Sequence, residues 1–395
     1  MKKTISIIGG GPSAFLLAAF LDTSKFDVTI YEKNKTTGRK FLVAGKGGFN
    51  ITHSEPMEQL LKRYTPSDFL EEALLNFTNT DFRNWLNQIG IPTYVGSSKR
   101  VYPEEGIKPI EVLNAILASL KEKGIAIKDE HIFSDWDIDN NPIINNKSIQ
   151  TDYTVFSLGG GSWKITGSDG NWLNTFAKKG INTTPFVASN CAYQIHWKSD
   201  FINKNEGSPL KNIAISCGGT TQKGEAVITK FGLEGNAIYG LSPKIREELN
   251  SNSKATLFID FKPSLTLENV LSKINLSTQK NTTATLKKAL KLSSAQIDLL
   301  KTTLSKELYL NSDSLAKFIK KFPLEIINTA EIDEAISTVG GIELNAITKN
   351  FKLKNLPNQF CIGEMINWDA PTGGYLLQAC ASIGVFVAKH LNKIN

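Results

Sequence analysis

The chain has 395 residues, 41% hydrophobic and 21% charged, with a formal net charge of +7. That length exceeds one small core and predicts two or three domains of a globular protein. No apolar run approaches the roughly 18 residues of a membrane span. The basic start Met1-Lys2-Lys3 only superficially mimics a signal peptide, so a cytoplasmic location is expected.

The first 32 residues are the most informative. Ile5 to Ile8 reads as a strand, Gly9-Gly10-Gly11-Pro12-Ser13-Ala14 as a turn, and the run to Leu21 as a helix. Phe26 to Tyr31 is a second strand, ending at Glu32. This is the order of a dinucleotide-binding βαβ unit. Gly9 permits the tight turn, Gly11 the approach of a pyrophosphate, and Ala14 close packing of helix on sheet. Pro12 suits the first helical turn, where its missing N–H costs nothing. The helix N-terminus, including Ser13, then faces phosphate. Glu32 is placed to bind both hydroxyls of an adenosine ribose and to repel a 2′-phosphate.

Beyond Glu32 comes a glycine-rich loop from Gly38 to Thr52 that contains basic residues. Helical periodicity follows at 67–75, 81–89 and 109–123, with a loop through Pro103. Strands are expected at 125–127, 132–138, 143–144 and 153–158, the last running into Gly159-Gly160-Gly161. From Cys191 to about Lys262 short alternating segments predict antiparallel strands. From Ser264 to Phe322 helices are expected, with a capping box at Ser293 and Gln296. There Leu315, Phe318, Ile319 and Phe322 form an apolar stripe that Pro323 ends. Phe360 to Ile362 reads as a strand and Tyr375 to Leu391 as a helix. The reading is one discontinuous nucleotide-binding α/β domain with the middle of the chain inserted.

Many lysines lie between Lys254 and Lys321 at helical spacing, and a solvated helix face is preferred there over a nucleic-acid surface. The four cysteines form no CxxC pair, which points to buried thiols rather than a dithiol relay or zinc site. No metal is expected. His53 follows the glycine-rich loop and is a candidate for proton transfer or for a loop hydrogen bond.

Three further segments carry a family resemblance: Gly38 to Ser54, Gly96 to Pro103, and Gly363 to Tyr375. Together with Gly159-Gly160-Gly161-Ser162-Trp163 and Gly232-Leu233-Glu234-Gly235, they resemble the BaiN-like, aminoacetone-oxidase-like family of bacterial FAD-binding proteins. The resemblance covers nearly the whole chain in order. It implies a discontinuous Rossmann-type FAD-binding domain (1–190 and 336–395) interrupted by a β-barrel-like insert (191–262 and 324–335) and a small helical insert (263–323).

The resemblance also assigns roles. Lys33, Arg39 and Lys40 belong near the adenosine-side phosphates and ribose. The loop containing Gly47, Gly48 and Asn50 would lie on the isoalloxazine; many relatives carry a cysteine where this chain has Phe49. Gly363 and Glu364 are placed for the ribityl chain. The Gly373-Gly374-Tyr375-Leu376 turn is placed for the flavin pyrimidine, and Trp368 and Asp369 stand beside it as a substrate wall and flavin contact. The implied function is FAD-dependent oxidation or reduction of a small molecule by hydride transfer at flavin N5. It is either a reductase with NAD(P)H as transient donor or of amine-oxidase type. A flavoprotein of RNA modification and a flavin-binding regulator without turnover are the alternatives.

Overall fold

The computed structural model describes residues 1–43 and 48–394. They form two compact units, Met1–Ser189 with Ile332–Asn395, and Asn190–Glu331.

The first unit is built on five parallel strands: β1 (Lys3–Ile8), β2 (Phe26–Tyr31), β3 (Ala126–Lys128), β4 (Tyr153–Phe156) and β5 (Gln359–Cys361). Their order is β5-β4-β1-β2-β3. Ile5, Ile7 and Ile8 and all of Tyr153–Phe156 are buried. Such runs suit a parallel sheet, covered on both faces. Helix α1 (Pro12–Phe20) and the long C-terminal helix α2 (Tyr375–Lys393) pack closely. Gly384 allows this approach, because a Cβ there would lie 2.5 Å from the Ser13 carbonyl oxygen.

Two expected loops hold structure. Arg39–Val43 is a short helix within the glycine-rich segment. Thr52–His53, Arg100–Pro103 and Thr93–Val95 pair as a small antiparallel sheet. The pairing of Thr52 with Val101 is non-local, so local periodicity could not announce it.

In the second unit seven antiparallel strands run in the order Phe322–Ile326, Ala255–Asp260, Pro209–Cys217, Thr220–Ile228, Gly232–Glu234, Tyr193–Gln194, Asn328–Thr329. The first and last are separated by Ile327 alone. One segment therefore pairs with Ala255–Asp260 through one half and with Tyr193–Gln194 through the other, closing the sheet on itself. Five short helices follow between residues 267 and 320, and the Ser293–Gln296 capping box forms as expected. The last helix ends at Lys320, and Phe322 opens a strand instead of completing the helical stripe. A residue before proline is pushed to extended backbone, which is the local cause. The chain returns to the first unit at Ile332, four residues before the expected 336.

Candidate functional site

A cavity of about 520 Å³ opens at the C-terminal ends of β1, β2 and β4. Open α/β sheets bind ligands in that position. Gly9 leaves β1 with φ +104°, and a Cβ there would lie 2.2 Å from the Ser157 carbonyl oxygen. Gly11 is the N-cap of α1, and Pro12 occupies its first turn. No side chain caps this terminus, and a Cβ on Gly11 would meet no atom within 4 Å. The helix thus presents bare N–H groups and its positive dipole end to the cavity. Ser13 faces the cavity but spends its hydroxyl on the Cys380 carbonyl at 2.9 Å. Ala14 is fully buried in the packing of α1.

Glu32 is 7% exposed and lines the same cavity. Its carboxylate accepts from the Gly10 N–H at 2.9 Å, the Asn34 N–H at 2.8 Å and Asn34 Nδ2 at 2.7 Å. Lys33 Nζ pairs with Asp169 at 2.9 Å, and the exposed Arg39 reaches Asn34 Oδ1 at 3.4 Å. Farther along, Lys40 Nζ lies 2.9 Å from Glu364 Oε2, 3.1 Å from Ser162 Oγ and 3.3 Å from Ser168 Oγ. Glu364 Oε1 accepts from the Thr338 N–H at 3.2 Å. Lys40 is therefore bound first to a carboxylate of the protein. Gly363, Leu376, Leu377 and Cys380 complete this side. Burial pushes the Cys380 thiol up to about 12, so it is neutral and no thiolate nucleophile.

Other expected site residues are placed elsewhere. Gly47 lies outside the described residues, as do residues 44–46. Gly48 and Asn50 are joined by a 2.9 Å backbone hydrogen bond and are absent from the described lining. Gly373 adjoins Arg100 and the Tyr375 ring. Gly374 has φ +95°, and a Cβ there would lie 2.5 Å from the Thr52 backbone.

Tyr375 is buried. Its hydroxyl donates to Glu55 Oε1 at 2.7 Å, and its ring stacks on His53 with centroids 5.1 Å apart. Arg63 donates twice to Glu55, at 3.2 and 3.1 Å. Burial holds His53 below its ordinary range, and its Nδ1 accepts from the Glu55 N–H at 3.2 Å. A loop hydrogen bond through Nδ1 is the observed contact of this ring. Asp369 accepts from Ser189 Oγ at 2.8 and 3.0 Å, and its backbone pairs with Thr65. Trp368 is 2% exposed and donates to the Gly363 carbonyl at 2.9 Å, so it is packing rather than a substrate wall.

Sequence reasoning missed several lining residues. His131 gives its Nδ1 hydrogen to the Asp129 carbonyl at 2.7 Å and leans on Tyr31; Phe133 and Trp172 also line the cavity. Nothing local marks these positions. Leu377 and Cys380 were accessible, since they share a helical face with Leu376.

A glycine turn leading from a parallel strand into an uncapped helix, with an acid ending the next strand, is the geometry of a Rossmann-type dinucleotide-binding domain. The HI0933-like protein Rossmann domain matches residues 3–390, and the chain belongs to that family of FAD-dependent oxidoreductases. It is 22% identical over 384 residues to the ribosomal RNA dihydrouridine synthase of Haemophilus influenzae, covering 94% of each chain. It is 21% identical over 409 residues to a 3-dehydro-bile acid delta(4,6)-reductase of Clostridium scindens, covering 98% of each. Among solved structures, the apo Sdh1 complex of Mycobacterium smegmatis aligns with TM-score 0.50 and 11% identity. That alignment covers 100% of this chain and 69% of the other, a likeness of fold. No described helix is long and apolar enough to cross a membrane.

Proposed function

We propose that the protein is an FAD-dependent reductase that saturates a carbon–carbon double bond conjugated to a carbonyl, with NAD(P)H as transient donor. The observation that supports the FAD-binding part of this reading is the cavity at the strand ends, with an open cradle at Gly11 and a fixed carboxylate at Glu32. The pyrophosphate of FAD would rest on the N-terminus of α1. Glu32 would hold the adenosine ribose. Three of its roughly four acceptor sites are already filled, so it has one left for a hydroxyl rather than two. Lys33 and Arg39 would flank that end, and Lys40 with Glu364 the ribityl region. Bound FAD supplies two-electron hydride chemistry that no side chain can supply.

The choice of reaction follows from what the relatives' names have in common. A dihydrouridine synthase saturates the uracil double bond beside a carbonyl, and a 3-dehydro-bile acid delta(4,6)-reductase reduces double bonds of a ketone. The molecules differ, but the bond type is the same. The substrate is accordingly either a small cyclic enone or a nucleobase.

Anaerobic mixing of the yellow protein with NADPH or NADH, followed by a cyclic enone, tests this. Bleaching of the flavin band by a nicotinamide and its return on adding 2-cyclohexenone are expected. Bleaching by a primary amine and by neither nicotinamide would replace the proposal with the amine-oxidase reading. Flavin inert to every donor would favour a regulator.

A further inference from the structure

One wall of the cavity beside Glu32 is a strap of chain rather than the sheet. Residues 157–171 lead from β4 to the helix Trp172–Lys178, and Thr166, Gly167, Ser168, Asp169 and Asn171 line the cavity. Lys33 and Asn34, the tip that follows β2, line it as well. Strap and tip touch. A Cβ on Gly167 would collide with the Asn34 side-chain amide, whose Nδ2 is already held by Glu32 at 2.7 Å. Glycine at 167 thus lets the strap close beside the carboxylate placed for the adenosine ribose.

Polar tethers hold it there. Lys33 Nζ reaches Asp169 Oδ2 at 2.9 Å, and Asp169 Oδ1 accepts from the Asn171 N–H at 3.1 Å, which fixes the carboxylate. Ser168 Oγ donates to the Gly160 carbonyl at 3.0 Å and accepts from Lys40 Nζ at 3.3 Å. Lys164 pairs with Asp333 at 3.3 Å, where both side chains are exposed. Between these tethers Ile165 is 81% exposed, so apolar packing does little to hold that turn shut. Gly167 and Gly170 have left-handed φ of +98° and +66° and bracket Ser168 and Asp169. Glycines so placed can absorb the backbone rotation of a hinge.

We propose that residues 164–171 form a hinged strap over the adenosine end of FAD, latched by Lys33–Asp169, and that opening of this latch sets how fast FAD leaves. The inference rests on the placement of FAD in this cavity given above and is independent of the reaction the flavin performs. Exit past the β2 tip requires the strap to lift, which breaks the charged contact joining the two. The paired side chains are 35% and 25% accessible, so water and salt compete for them. An apolar closure would not be loosened by salt.

The test is the rate at which the FAD-loaded protein releases its cofactor. A phosphodiesterase that splits free FAD into FMN and AMP traps what is released, and rising flavin fluorescence reports it. Asp169→Asn should release FAD about 5-fold faster at low salt, within the range of one partly exposed ion pair. Between roughly 50 and 500 mM sodium chloride the parent should approach the rate of the variant, which itself barely responds. Asp169→Glu keeps the charge and should restore most of the parental rate. Adding Lys33→Gln to Asp169→Asn should change little, as for two partners of one contact. Unchanged or slower release in Asp169→Asn would overturn the proposal, as would equal salt dependence in parent and variant. Fully additive effects of the two substitutions would overturn it too, because Lys33 would then grip the cofactor by itself. Gly11→Val checks the placement separately. If that protein stays fully yellow, FAD lies outside this cavity and the strap falls with the placement. If it loses FAD while Asp169→Asn releases at the parental rate, only the strap is defeated.

Discussion

Two of the glycine turns that open helices among the described residues, at Gly9–Pro12 and at Gly373–Gly374, do opposite work. At Gly9–Pro12 the glycine at the helix N-cap faces empty space, since a Cβ on Gly11 would touch nothing within 4 Å. At Gly373–Gly374 the second glycine faces protein, with its Cβ position 2.5 Å from the Thr52 backbone. The first turn keeps room for a ligand; the second lets two segments of the same chain touch. Behind the second stands a buried polar cluster, Tyr375–Glu55–Arg63 with His53 stacked on the tyrosine. Behind the first stands Glu32, holding the turn through the Gly10 N–H. A glycine pair before a helix is thus ambiguous until its neighbours are known.

Substitutions can break this contrast. The largest effect is expected for Gly374→Ala, which meets both a left-handed φ of +95° and the Thr52 backbone. It should cost about 2–4 kcal/mol of stability in a denaturant melt; a melt like that of the parent would show the packing to be looser than described. Gly11→Val comes next and should act the other way. Gly11 has extended backbone, φ −108° and ψ −179°, that any residue adopts. Folding by circular dichroism should therefore be near normal, while FAD affinity falls about 100-fold, or roughly 2.7 kcal/mol. A fully yellow Gly11→Val protein would remove the pyrophosphate from this turn.

Glu32→Ala blends the two kinds of effect. It deprives Gly10 and Asn34 of their acceptor, expected to cost about 1–3 kcal/mol, and lowers retained flavin on gel filtration. Unchanged flavin content would move the adenosine elsewhere.

The smallest effect is a pH dependence at the second turn. His53 is held below its ordinary 6.5 by burial. The unfolded chain therefore takes up the proton first, and stability declines as pH falls below about 6.5. Burial pulls the Glu55 carboxyl upward, but hydrogen bonds from Arg63 and Tyr375 outweigh it and hold it below 4.5. Its contribution is complete above that value and lost on further acidification. Melting temperature followed from about pH 8 to about pH 5 should fall less in His53→Gln than in the parent. Parallel curves would assign the acid limb to other groups.

Much of the cavity lining was legible because its signals are local. Gly9, Gly11, Pro12, Ser13 and Glu32 all line the cavity, as do Lys33, Arg39, Lys40, Gly363, Glu364 and Leu376. Lys40 illustrates the limit: a cation was expected near phosphate, yet its ammonium rests on Glu364, 324 residues away in the chain. Asp369 and Tyr375 sit beside a recognisable turn, but their polar atoms are consumed by Ser189 and Glu55. Proximity in sequence gave no information about which side of the turn each would face.

The sequence alone determined the βαβ unit, the interruption of the first domain, and the change from strands to helices within the insert. These depend on apolar period, glycine and proline, and the physics acts within a few residues of each position. The tertiary structure decided which polar groups remain available to a ligand and which glycine faces space. Hydrogen bonds and close packing between distant segments settle such questions, because a carboxylate satisfied by one partner has less to offer another.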